Sequence, residues 1–332
     1  MFIIHSYAVA VLFCFVTMLC WGSWGNTEKL AIKSWPYQLY YWDYTIGVLL
    51  LSLIFGLTLG SIGQEGRSFI ADLAQADWSS IGSAFLGGVI FNLANILLVV
   101  AIDLAGMAVA FPIGIGLALV LGVIINYVAT PVGDPVLLFI GVGLVTIAII
   151  FDAIAYNRVR KTHSTVKGIS VSILCGILMG LFYRFVAAGV SLHYANPEPG
   201  LMTPYGAVFI FSIGVVISNF VWNTYFMYRP VSGDPVSYGQ YFKDGNSRLH
   251  LVGILGGIIW CIGMSFNMLA PEKAGFAISY GLGQGATMVA AAWGVFIWKE
   301  FDDAPEGTNK LLGFMFLFFL LGLGLIIASR LV

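Results

Sequence analysis

The chain has 332 residues, 59% of them hydrophobic and 9% charged, with a mean hydropathy of +0.93. Soluble domains carry roughly 25% charged residues, so the composition excludes a water-soluble enzyme and points to a polytopic membrane protein. The formal net charge of -1 offers nothing to a nucleic acid.

A bilayer core about 30 Å thick takes about 20 apolar residues per helix. On that ruler the sequence predicts ten spans, near 7–25, 38–60, 79–101, 104–128, 135–156, 166–190, 204–228, 249–270, 273–298 and 309–331. No positively charged stretch precedes the first run, which therefore reads as a spanning helix and not a cleaved signal. Only 61–78 and 229–248 leave room for an interfacial segment. The expected fold is an all-α integral membrane protein, one domain over 1–332, in which 1–160 and 161–332 form a 5+5 inverted repeat. The four cysteines, Cys14, Cys20, Cys175 and Cys261, lie inside apolar runs and read as packing residues.

The repeat shows in the stretch from Leu86 to Leu117. Adding 169 to each number lands on Leu255 to Ala286. Leu86, Gly87, Gly88, Ile90, Ala101, Gly106, Ala108, Gly114 and Gly116 then meet Leu255, Gly256, Gly257, Ile259, Ala270, Gly275, Ala277, Gly283 and Gly285, and Asp103 meets Glu272. At an offset of 167, Ile46-Gly47-Val48 meets Ile213-Gly214-Val215. Each central copy reads as two apolar runs joined by a short polar hinge, with a Gly-x-Gly inside the second run. Asp103 and Glu272 are expected to cap the helices that follow them. Duplicated, glycine-interrupted helix pairs are the sequence mark of a secondary transporter's binding region. Five helices per half is an odd number, so the second half lies inverted relative to the first.

Lysines and arginines set the orientation. Lys29, Lys33, Arg158, Arg160, Lys161, Lys167, Arg229, Lys243, Arg248, Lys299 and Lys310 fall on one side, against Arg67, Lys273 and Arg330 on the other. The richer side is expected in the cytoplasm, with both termini outside.

Polar residues inside the spans are the candidates for chemistry. Arg184 lies within the sixth run after Tyr183, where a charge costs several kcal/mol unless paired or hydrated. It is a candidate to grip solute oxygens. Asn92 and Asn95 share one helical face and offer amide donors and acceptors. Asn267, Tyr280 and Gln284 supply comparable groups in the second half. Gln284 stands between Gly283 and Gly285, where backbone can approach a ligand. Asn126, Asn219 and Asn223 lie nearer helix ends and are weaker candidates.

Trp21, Trp24 and Trp260 sit deep enough to stack on a ring or an apolar sugar face, whereas Trp35, Tyr37, Tyr40, Tyr41 and Trp42 read as an interfacial belt. Asp43, early in the second span, is the candidate for proton coupling, because a carboxylate in a partly wet, low-dielectric place can load and release a proton. Asp152 reads as an interfacial partner of Arg158 and Arg160. His5, His163, His193 and His250 lie at a terminus or in or beside loops, so no intramembrane metal site or histidine-based catalytic site can be drawn. No cofactor-binding motif and no enzyme constellation is present. Gly114-Ile115-Gly116 lies inside an apolar helix and is no dinucleotide loop.

Longer motifs carry a family resemblance. Trp21-Gly22-Ser23-Trp24, with Lys29 and Lys33-Ser34-Trp35-Pro36 after it, resembles the start of bacterial sugar porters of the drug/metabolite transporter superfamily. Leu104-Ala105-Gly106-Met107-Ala108-Val109-Ala110-Phe111-Pro112-Ile113-Gly114-Ile115-Gly116 resembles the matching run of the rhamnose–proton symporter and glucose/ribose porter families. The run from Lys273 to Gln284, ending in Trp293-Gly294-Val295-Phe296-Ile297-Trp298-Lys299-Glu300-Phe301, is similar to plant ureide permeases. Ureide permeases carry a long central cytoplasmic loop, and the short one here, 157–167, favours the bacterial branch. The resemblance implies proton-coupled uptake of a small polar solute such as a sugar across the cell's inner (plasma) membrane. The alternatives are a ureide or nucleobase permease, or a drug or metabolite exporter of the same superfamily.

Overall fold

The computed structural model describes residues 1–31, 35–159, 165–231 and 233–332. Lys33, Ser34, Arg160, Lys161 and His163 of the sequence reading lie outside the described residues. Within them the chain is helical and holds no strand, only an isolated bridge between Val190 and Met202.

Nine helices among the described residues are long and apolar enough to cross a membrane. They are α1 (Tyr7–Ala31), α2 (Tyr37–Leu57), α3 (Trp78–Ala105), α4 (Phe111–Ala129), α5 (Pro135–Val159), α6 (Val166–Ala188), α7 (Pro204–Tyr228), α8 (Ser247–Leu269) and, last in the chain, Thr308–Ala328. The expected span at 273–298 is present but is not one helix. It comprises Pro271–Ala274, α9 (Phe276–Gly283), Ala286–Ala292 and a wide π-helical turn, Trp293–Ile297. With α9 so placed, Thr308–Ala328 is α10. Two short helices, Phe69–Gln75 and Tyr238–Lys243, fill the connections predicted to have room for an interfacial segment.

Both copies of the central element break at the same two places. Gly106 and Gly275 adopt nearly one conformation, φ 75° and ψ 160° against φ 84° and ψ 152°. That left-handed region is open to glycine and costly for other residues. These glycines, and not the carboxylates, form the junctions. Asp103 stays in the last turn of α3, and no side chain caps α9. The second break is at the Gly-x-Gly. In the first copy a π-helical turn, Phe111–Ile115, ends just before Gly116 and contains Pro112, which lacks an N–H to continue the ladder. In the second, α9 stops at Gly283 and the chain resumes at Ala286.

Contacts at glycine fasten the halves together reciprocally. A methyl group at Gly257 of α8 would stand 2.0 Å from the Tyr44 carbonyl oxygen of α2, and one at Gly47 of α2 would stand 2.2 Å from that of Ile254. The same contact recurs on the opposite pair: Gly88 of α3 against Phe211 of α7 at 2.1 Å, and Gly214 of α7 against Phe85 at 2.2 Å. Gly141 of α5 and Gly322 of α10 oppose each other, each 2.7 Å from the other's carbonyl oxygen by the same measure. Without a hydrophobic drive between helices in lipid, such close backbone approach is what holds them.

Candidate solute-binding site

One cavity of about 530 Å³ enters the bundle at the end where α1, α3 and α7 finish and α2 begins. Glu28, Asp103 and Asp234 stand at its walls with Tyr37, Gln38, Ile96, Asn223 and Gln240. Segment 233–236, which leads into the Tyr238–Lys243 helix, forms one side of it.

From the cavity wall inward, α2, α3 and α7 each place about one polar side chain per turn, because residues three or four apart share a face. On α2 these are Tyr37, Tyr41 and Tyr44, on α3 Asn95 and Asn92, and on α7 Asn223, Asn219 and Ser218. All eight are buried. Some bonds join them: the Asn95 amide donates to the Tyr41 hydroxyl at 3.1 Å and the Asn92 amide to the Ser218 hydroxyl at 2.9 Å. Others do not close. The hydroxyls of Tyr37 and Tyr44, Asn92 Oδ1, Asn223 Oδ1 and both amide atoms of Asn219 have no partner among the described residues. Each orphaned buried group costs about 1–3 kcal/mol, so this concentration is not a device for stability. Beyond the ladder lies an aromatic floor. The Trp260 ring stands 5.8 Å from Trp21, 4.4 Å from Phe91 and 5.8 Å from Phe211, and Trp21 Nε1 donates to the Trp260 carbonyl.

The expected residues divide into three groups. Asn92, Asn95, Trp21 and Trp260 belong to this ladder and its floor, and the Trp24 ring packs at a tilt against Tyr44, 4.9 Å between centroids. Tyr183, Asn267 and Tyr280 are tied into packing on the far side. Tyr280 donates to the carbonyls of Ala118 and Met179, the Asn267 amide to Ser279, and Tyr183 to the Asn267 carbonyl. Gln284 sits, buried, at the break of α9. Arg184 lies apart. It is half-buried one turn from the end of α6, lines a separate cleft of about 200 Å³ with Glu198, Leu201 and Phe276, and makes no ion pair among the described residues.

Three sequence expectations are corrected here. Trp35, Tyr37, Tyr40, Tyr41 and Trp42 are not an interfacial belt: all are buried, because this end of α2 packs into the bundle. Asp152 does not pair with Arg158; it is buried and its Oδ1 has no partner among the described residues, which exclude Arg160. His250, set aside as a loop residue, opens α8 with Nδ1 2.9 and 3.0 Å from the two Asp43 carboxylate oxygens. Asp43 also accepts from the Tyr241 hydroxyl at 2.6 Å and Trp35 Nε1 at 3.3 Å.

A polar network ties the opposite end together. Arg67 donates to Asp72 at 3.0 Å and to the carbonyls of Leu201 and Pro197, while the Asp72 carboxylate accepts from Thr203 N and Oγ1. Burial pushes the Asp72 carboxyl up, against the pull of Thr203 and Arg67. Nearby, Glu198 accepts from Ser191 Oγ and bonds His193. Burial raises the Glu198 carboxyl, but the bonds to Ser191 and His193 and the His193 charge together outweigh it and hold it down at about 2.

A cavity at one end and an inward run of unsatisfied amides suit a solute carrier. The profile of the ureide permease family matches residues 40–161 and 157–329. The chain belongs to that family. Ureide permease 1 of Arabidopsis thaliana is 24% identical over 388 aligned positions that cover 99% of each chain. Probable ureide permease A3 of Vigna unguiculata is 23% identical, covering 82% of this chain and 91% of its own. Alignment over 388 positions exceeds the 332 residues here, so the plant permease holds segments that this chain lacks. The family match also divides at 157–161, the position of the short central loop. That short loop does not take the chain out of the ureide permeases. These relatives are named as permeases, which are transport proteins and not enzymes. A solved crystal structure, 15% identical, shares the fold with a TM-score of 0.60 over 97% of this chain and 98% of that one.

Proposed function

We propose that the protein is a secondary transporter that carries a small ureide-like solute together with protons by alternating access between two inverted halves. The observation that carries this reading is the ladder of unsatisfied carboxamides and hydroxyls at the inner end of the 530 Å³ cavity. A ureide presents several N–H donors and C=O acceptors in a small planar frame. The free Asn92 and Asn223 oxygens suit its donors, and Asn219, with both atoms unpartnered, can both give and accept. Planarity suits the aromatic floor around Trp260.

The 5+5 inverted repeat is supported by the matched Gly106 and Gly275 breaks and by the exchanged contacts of α2 on α8 and α7 on α3. Asp43, Asn92, Asn95, Trp21, Trp24 and Trp260 are the functional residues of this reading. Arg184, Tyr183, Asn267, Tyr280 and Gln284 remain the sequence's candidates for the solute on the far side of the floor. The expected setting is the cell's inner (plasma) membrane, with the cavity and the central loop facing the cytoplasm and both termini outside. The short central loop, shared with sugar porters, keeps a sugar as the second reading.

Thermal-shift measurements on purified protein, with allantoin as the probe ureide and rhamnose, glucose and uracil beside it, decide between the two. A ligand present at about 100 times its Kd stabilises the fold by about 2.7 kcal/mol. Stabilisation by allantoin and not by the sugars is the expected result. Stabilisation by a sugar alone overturns the ureide assignment.

A further inference from the structure

Asp43 is held in an arrangement that decides where a coupling proton can reside. Three groups converge on its carboxylate from three elements: Trp35 from the loop before α2, Tyr241 from the Tyr238–Lys243 helix and His250 from the first turn of α8. All three are donors. Tyr241 stays one, because burial and its bond to Asp43 push the phenol well above its ordinary range. His250 Nδ1 faces both carboxylate oxygens at 2.9 and 3.0 Å, and beside an ionised Asp43 it carries its hydrogen, since a bare Nδ1 would set its lone pair against theirs. With Trp35 and Tyr241 donating as well, the ionised carboxylate matches its surroundings. On the same helix Tyr40 turns away, its hydroxyl bonded to Thr27 beside Glu28 at the cavity wall. Lys243, Asp244 and Arg248, the charged residues on the packed elements, make no ion pair with Asp43 among the described residues.

The one basic atom left in the cluster is His250 Nε2. It lies against Gly245, where the Tyr238–Lys243 helix turns into α8, and the side chain keeps 28% of its surface exposed while that of Asp43 keeps 2%. We propose that the coupling proton binds His250 at Nε2, with Asp43 as its fixed counter-ion, and that its presence fastens the wall of the solute cavity. This rests on the reading of the protein as a proton-coupled permease.

The balance is simple. Neutral His250 beside ionised Asp43 makes a cluster of charge -1; one proton from the wet side brings it to zero without breaking a bond. A net charge is costly to enclose within a membrane bundle, whereas a hydrogen-bonded neutral pair is far less so. The proton also turns the Nδ1 bond from one with a single charged partner into a hydrogen-bonded ion pair, which is stronger. That bond matters to the cavity because the cluster anchors two strips of its lining. Trp35 precedes Pro36, Tyr37 and Gln38, and Tyr241 follows Gln240 and segment 233–236. The proton-loaded cluster holds both strips to α2 and α8. Loss of the proton on this side loosens them and opens the way out for the solute.

The test uses the full chain in proteoliposomes with radiolabelled allantoin. His250→Asn keeps a donor near the Nδ1 position and cannot take a proton. It is expected to retain allantoin counterflow without a gradient and to lose all stimulation of uptake by an inward proton gradient. Gradient-driven accumulation by the variant equal to that of the parent overturns the proposal. Absence of stimulation in the parent itself would instead strike at the proton-coupled reading. A second measurement stands if the variant fails to fold. The Trp35 ring lies 5.4 Å from the His250 ring, edge to face. Protonation of His250 should quench Trp35, so the parent spectrum minus that of Trp35→Phe should show a fluorescence step as the proton binds. A flat difference across pH 5 to 9 overturns the proposal.

Discussion

Replacing Asn219 by leucine separates a binding group from a structural one. Asn219 is fully buried one turn below the cavity on α7, and neither its oxygen nor its nitrogen has a partner among the described residues. Two orphaned polar atoms cost about 1–3 kcal/mol each, whereas leucine branches at the same atom and carries two bulkier methyl groups with no polar atom. Asn219→Leu should therefore leave the protein as stable as the parent or more so, by up to about 2 kcal/mol once imperfect packing is allowed for. Solute recognition should move the other way. Each neutral hydrogen bond lost contributes about 0.5–1.5 kcal/mol, so losing two weakens binding about five- to a hundredfold. Thermal unfolding in detergent measures the first quantity, and the midpoint of allantoin-dependent stabilisation measures the second. A variant that unfolds several degrees earlier yet binds allantoin as tightly as the parent would refute the reasoning. Asn219 would then be a packing residue whose partners the bundle supplies by local movement.

Gly88→Ala and Gly257→Ala should each cost at least 1–3 kcal/mol, since the added methyl meets backbone oxygen at 2.1 and 2.0 Å; the yield of monodisperse protein in detergent measures the loss. Gly275→Ala adds a positive-φ strain of about 1–2 kcal/mol to a contact 2.7 Å from Val132 Cβ, and should lower the melting temperature more than Gly324→Ala, which meets nothing. Glu198, held down at about 2 in the fold against an ordinary 4.5, contributes stability that is complete above pH 4.5 and lost as pH falls toward 2. Glu198→Gln should thus lower stability at pH 6 but leave it unchanged at pH 2, read from urea unfolding at the two pH values. A cysteine at Lys167 should resist an impermeant thiol reagent in intact cells while one at Val332 reacts; equal labelling would reverse the orientation.

The helices were legible because their causes are local. Gly106 and Gly275 share a register in the sequence and a backbone conformation in the fold, and the Gly-x-Gly marked where the regular helix gives way in both copies. The candidate site was legible in part. Asn92 and Asn95 stood out because they lie in mid-helix. Asn219 and Asn223 were discounted for their nearness to a helix end, yet the cavity itself descends from that end, so distance along the helix misjudged depth in the bundle. Composition placed Trp35 to Trp42 in an interfacial belt, because an aromatic run reads alike whether it meets headgroups or other helices. The pairing of Asp43 with His250 spans 207 residues, and nothing near either residue announces the other.

The glycine contacts have a consequence for synthesis. The groove on α2 at Gly47 is filled by Ile254 of α8, and the groove on α3 at Gly88 by Phe211 of α7. At about 5–20 residues per second, roughly 10–40 s separate the emergence of Gly47 from that of its partner. Through that interval the first five helices must wait in the bilayer with their closest-packing surfaces against lipid. A ribosome stalled near the central loop would leave an orphan fragment with open seams, which quality-control proteases can distinguish from the finished carrier.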